Sequence, residues 1–242
     1  MEQLPLTAFL NRVFGGLANA LLDALRIHHD SLAPISNAVA MQLLVFVILL
    51  LLFIYLRTRI SVEAPGGLQH IFEGLQGFIA NQSHEIIGHG SESFTPFLTI
   101  LGVYILACNL LGLIPSLESP TATPTVPLGC ALVAFLYYHF QGVRKQGVLH
   151  YAAHFAGPMP VLAPLMIPIE IISHLARVLS LTIRLFANMF AGDMVTLVFF
   201  SLVPVVVPVV FLGLHIGVSF LQAYIFVLLT TVYLQGAVSQ EH

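Results

Sequence analysis

Six polar side chains interrupt one long apolar stretch in the last third of the sequence: Glu170, His174, Arg177, Arg184, Asn188 and Asp193. With Leu181 included, Glu170, His174, Arg177, Arg184 and Asn188 step by 4, 3, 4, 3 and 4, the repeat of one helical face. Carboxylate, imidazole, guanidinium and amide in one row are the groups that proton movement uses. Histidine and carboxylates titrate near working pH, and amides orient water while staying neutral. A fixed arginine among them repels a bare proton and forces it onto a carrier. A second row, His215, Ser219 and Gln222, follows at i, i+4, i+7. Two helices packed together would align it with Asn188 or Asp193.

The charges in the first row need partners. Insertion scales put one Arg at the centre of a membrane helix at about 2.5–3.5 kcal/mol. Glu170 and His174 are i, i+4 neighbours and His174 and Arg177 are i, i+3, so a local cluster is feasible. Arg177 is therefore read either as a member of that cluster or as a transport residue. Arg184 has no such help: Glu170 lies about 21 Å away along the axis, and Asp193 lies about 13 Å along and half a turn round. Arginine does not escape by deprotonating. Spacing alone leaves Arg184 as a structural charge joining two helices or as one awaiting a carboxylate from another chain. The distances favour the second, and an external carboxylate is expected. Asn188 and His215, taken singly, would equally serve as interhelical hydrogen-bonding residues.

The elements that hold these rows must lie in lipid. Of 242 residues only 8% are charged and 58% are hydrophobic, with a mean hydropathy of +0.95. A soluble domain carries roughly a quarter charged residues, so the composition excludes one. A net charge of -3 and eight scattered basic residues exclude a nucleic-acid footprint. Cys108 and Cys130 sit in apolar stretches and form neither a disulfide framework nor a zinc site. The acidic start, Met1–Pro5, without a compact apolar region after it, is not that of a signal peptide.

The expected fold is an all-α integral membrane protein with about five membrane-embedded helices, the last two long and strongly tilted, plus interfacial amphipathic helices. Residues 1–37 form an N-terminal amphipathic, external segment, helical over 6–25. Residues 38–160 hold the first span (Ala38–Leu56), a second amphipathic helix around Leu68–Ile79 after Pro65-Gly66-Gly67, and a helical hairpin. The hairpin pairs Phe94–Ile114 with Val126–Val143 across a proline-rich connection. Residues 161–242 hold Val161–Leu202 and Val203–Val238, about 63 Å and 54 Å if helical, nearly twice the hydrocarbon thickness. Arg57, Arg59, Arg144 and Lys145 fall on one side, which is cytoplasmic by the positive-inside rule. The N-terminus is then outside and the C-terminus cytoplasmic.

Arg184-Leu-Phe-Ala-Asn188-Met-Phe-Ala-Gly-Asp193 closely resembles the signature of subunit a of F-type ATP synthases. The match runs upstream through Pro168-Ile-Glu170-Ile-Ile-Ser-His174-Leu-Ala-Arg177 and downstream through His215 and Leu221-Gln222-Ala-Tyr-Ile-Phe. It is strong over 161–242 and mainly one of layout before that. The resemblance implies a proton-translocating stator in a bacterial plasma (inner) membrane, with a ring of c subunits and the peripheral-stalk b subunits as partners. It implies that Arg184 faces the ring's carboxylates, and that Asn188, Asp193, His215 and Gln222 belong to an outer half-channel. Glu170 would belong to the cytoplasmic route, with His174 beside it. No cofactor, metal or nucleic acid is implied. ATP chemistry would lie on other subunits, because no Gly-Lys-Ser/Thr phosphate loop occurs here. The sequence departs from the family at Ala187, where glycine is usual, at Asp193, where glutamate is usual, and at Thr121-Ala-Thr-Pro-Thr, which lacks the hairpin acid.

Rival readings are a free-standing ion channel, which leaves Arg184 unexplained, and a bis-histidine haem membrane anchor using His139, His150, His154, His174 or His215. A retinal protein is disfavoured because Lys145, the one lysine, lies outside the spans. His84-Glu85-Ile-Ile-Gly-His89 lacks the i, i+4 histidine spacing of a zinc protease helix and reads as solvated loop.

Overall fold

The computed structural model describes residues 4–24, 33–61, 66–114, 117–148, 151, 163–202 and 206–239. Among these the chain is helical: α1 (Pro5–Ala24), α2 (Asn37–Arg59), α3 (Gly67–Ile87), α4 (Thr95–Leu111), α5 (Thr125–Gln146), α6 (Ala163–Leu202) and α7 (Val206–Val238). Short 3-10 turns occupy Ser91–Ser93 and Pro120–Ala122. Four helices, α2, α5, α6 and α7, are long and apolar enough to cross a membrane, and α4 is a shorter apolar helix. This is the all-α integral membrane fold that the composition requires.

Each helix follows from its local sequence. Ser36 caps α2 by accepting from the Val39 amide, and Arg57 and Arg59 close it where cations suit the C-terminal dipole. Its flanks are exposed apolar residues such as Phe46, Leu51 and Ile54, a surface for acyl chains. α4 has 17 residues, fewer than the roughly 20 that lipid alone would demand. It is instead surrounded by protein, touching α2, α3 and α7. α1 leaves Phe9, Val13, Leu17 and Leu21 exposed, and Asn11 fastens it to the backbone of Ile35 with two hydrogen bonds, 3.0 and 2.9 Å. That is the geometry of an interfacial helix.

α3 runs two turns past Ile79 because Gln82, Ser83, His84 and Glu85 continue the helix until Gly88 (φ 79°) ends it. The loop reading of His84-Glu85 is corrected: both are helical, although exposed, and only His89 lies beyond the cap. α6 and α7 are unbroken over 40 and 33 residues, Pro168 falling in the first turns of α6. At 1.5 Å per residue they measure about 60 Å and 50 Å, so neither stands upright in a hydrocarbon layer of about 30 Å.

A core of Ile105, Cys130, Ala131, Ala134, Leu181, Leu185, Met189 and Phe226 binds α4, α5, α6 and α7 together. The alanines and Cys130 let α5 lie close to α6, as small residues do in membrane bundles. Residues 152–160, 161–162 and 203–205 lie outside the described residues, as do Arg26, His150 and His154.

Candidate functional site

α6 carries the first polar row and α7 the second, and their packing brings the rows together. Asn188 Nδ2 donates to Gln222 Oε1 at 2.7 Å. One and a half turns further along α6, Asp193 Oδ1 stands 3.7 Å from His215 Nδ1. His215 is buried, and its ring lies on Gly192, where an added Cβ would sit 3.1 Å from two ring atoms. The helices therefore meet across bare backbone at this point. Ser219 Oγ donates to the His215 carbonyl at 2.8 Å within α7. His215 Nε2 and Gln222 Nε2 are buried and make no hydrogen bond among the described residues.

A second polar chain, from the hairpin, reaches the same level. Asn109 Nδ2 on α4 donates to the Ser219 carbonyl at 3.3 Å, and Thr121 Oγ1 donates to Asn109 Oδ1 at 2.7 Å. The Ser119 and Thr121 hydroxyls are 2.8 Å apart. All four residues are buried. Sequence reasoning missed this chain. Its signal was Asn109, a buried amide inside an apolar run, which needs a partner by the same rule as the residues of α6.

Toward the other end of α6, Glu170 Oε1 is 3.2 Å from His174 Nε2, so the i, i+4 pair forms. The opposite ring nitrogen, Nδ1, is 3.1 Å from the hydroxyl of Tyr138 on α5. Arg177 does not complete a cluster with Glu170. Its guanidinium instead lies 5.2 Å from the centre of the Tyr233 ring on α7, a cation–π contact.

Arg184 lies between the two groups, near the middle of α6 and half-buried. It forms no ion pair among the described residues. Beside it runs an exposed apolar face of α6 including Ile172, Leu175, Leu179, Ile183 and Phe190, with Ala187 and Ala191 also exposed.

The sequence profile of the family described as ATP synthase A chain matches residues 39–235. The chain belongs to the ATP synthase A chain family. It is 55% identical to ATP synthase subunit a of Koribacter versatilis over 242 residues, covering 100% of this chain and 99% of the relative. Against ATP synthase subunit a of Solibacter usitatus the identity is 53% over 232 residues, 96% of this chain and 99% of the relative. A protein named ATP synthase subunit a from Campylobacter jejuni is 42% identical over 182 residues, 74% of this chain and 80% of that one. The site is thus two polar groups at separate levels along α6, with an arginine between them that forms no ion pair among the described residues.

Proposed function

We propose that this chain is the stator of a rotary ATP synthase, with two offset half-channels meeting at Arg184. It is a multi-pass plasma-membrane protein of the proton-translocating sector; ATP chemistry belongs to other subunits. The observation that carries the reading is Arg184, a permanent charge without a carboxylate partner among the described residues, at the edge of an exposed apolar helix face. A half-buried guanidinium in that position is stabilised by a carboxylate approaching from outside the chain. A ring of c subunits, each bringing one carboxyl group, supplies it in turn.

The outer half-channel uses Asp193, His215, Asn188 and Gln222. The buried nitrogens His215 Nε2 and Gln222 Nε2 support a hydrated route, since a buried polar atom left unpaired costs about 1–3 kcal/mol. The inner half-channel uses Glu170 and His174. A ring carboxyl reaching Arg184 releases its proton to one route, and must be reprotonated from the other before it returns to lipid. The same charge blocks direct passage between the two. A proton crossing 100 mV supplies about 2.3 kcal/mol. The N-terminus is outside and the C-terminus cytoplasmic, from the side shared by Arg57, Arg59, Arg144 and Lys145. Peripheral-stalk b subunits anchor the stator. The haem reading has lost His174, both of whose ring nitrogens face protein partners.

Cysteines at Ile183, Ala187 or Phe190 test the interface. Each should cross-link to a cysteine on the ring helix that bears the carboxylate. The native Cys108 and Cys130 are buried and stay silent. No cross-link along the whole of that face would contradict the reading.

A further inference from the structure

We propose that Tyr138 is a positioning residue for the inner proton route: its hydroxyl holds His174 in the form that carries its proton on Nε2, aimed at Glu170. This rests on the reading of Glu170 and His174 as the inner half-channel. A neutral imidazole has one proton for two nitrogens. An ionised carboxylate only accepts, so Nε2, 3.2 Å from Glu170, must be the donor, and Nδ1 is bare. A bare buried nitrogen needs a donor of its own, and the Tyr138 hydroxyl at 3.1 Å supplies it. The opposite arrangement would point a lone pair at the carboxylate. A partner on the far nitrogen fixes the tautomer of metal-bound histidines in the same way.

The surroundings make this a grip and not a passing contact. Tyr138 is 2% exposed, and its ring packs edge-on against Phe135 at 5.5 Å. His139 stands 4.7 Å from the His174 ring, centre to centre, and its Nδ1 meets the Tyr151 hydroxyl at 2.6 Å. Tyr151 is seated on Gly142, where a Cβ would come within 2.5 Å of its ring. Among the described residues, the titratable and charged groups around His174 are Tyr138 and His139 from α5, Glu170 and Arg177 from α6, Tyr233 from α7, and Tyr151 behind His139. With Nε2–H aimed at Glu170, the pair is held in the one orientation that passes a proton between them. Without the phenol the imidazole loses its anchor and is free to turn its bare nitrogen toward Glu170.

The test uses inverted membrane vesicles bearing the assembled complex, stripped of the catalytic sector. Passive proton conduction is driven by an imposed potassium potential and read against bath pH. Tyr138→Phe should slow conduction about threefold to tenfold, the range expected for one hydrogen bond to an ionisable site, and shift its pH dependence. In a Glu170→Gln background the same change should add less than about twofold, since coupled residues are not additive. A ring-fluorinated tyrosine at 138, a stronger donor of nearly the same volume, should move the curve the opposite way; this arm decides the matter if Tyr138→Phe assembles poorly. An unmoved curve, or equal slowing in the Glu170→Gln background, overturns the proposal. If Glu170→Gln itself leaves conduction unchanged, the inner-route reading has failed and not merely the role of Tyr138.

Discussion

The two polar groups on α6 are built in opposite ways. The outer one is assembled between helices: Asp193 and Asn188 come from α6, and their partners His215 and Gln222 from α7. Its ionic contact is loose, at 3.7 Å, and two of its buried nitrogens have no partner among the described residues. The inner group is a helix-local pair, Glu170 and His174, clamped from behind by the aromatic residues of α5. A loose group with spare hydrogen-bonding capacity suits a relay whose members exchange partners. A clamped pair suits a single group held in one orientation. The difference predicts that the outer group is sensitive to the spacing of α6 and α7, and the inner one to the packing of α5.

The largest effect expected from this contrast is at Asp193. Asp193→Asn keeps shape and removes the titrating group, and proton-driven ATP synthesis should fall about a hundredfold, the lower end of what a positioned proton-transfer group contributes. Loss of less than threefold would remove Asp193 from the route. Next comes Gly192→Ala, which adds one methyl 3.1 Å from the His215 ring and forces α6 and α7 apart or the ring aside. Synthesis should fall about tenfold, in line with the cost of overpacking a tight contact, while the pH dependence set by the inner pair stays in place. A shift of that dependence would show that the two groups are not separate. The smallest effect is the change at Tyr138, which sharpens the contrast from the inner side.

Much of this is legible in the sequence. The spans of α2, α5, α6 and α7 were visible as apolar runs, and the rows on α6 and α7 as polar residues repeating at 3 and 4. Asn188–Gln222 and Asp193–His215 follow once two such faces are packed together. The end of α3 was not legible, because Gln82, Ser83, His84 and Glu85 are polar and hide a helix whose apolar stripe has ended. Nor was the hairpin network, since nothing local relates Thr121 to Asn109 or Asn109 to the Ser219 carbonyl, 110 residues apart. Tyr138 reads in the sequence as one more aromatic residue in an apolar span. Its hydroxyl gains meaning only when α5 is laid against His174. Arg177 shows the limit of spacing arguments: an i, i+3 neighbour was at hand, and the side chain turned instead to a ring on another helix.

Arg184 lies between the two groups on α6 and forms no ion pair among the described residues. The most direct measurement is proton-driven ATP synthesis in vesicles bearing Arg184→Ala, with the assembled complex quantified in the same membranes. Assembly should be retained and coupled synthesis lost, with passive proton conduction no longer blocked between the half-channels. Coupled synthesis at the parental rate would contradict the account.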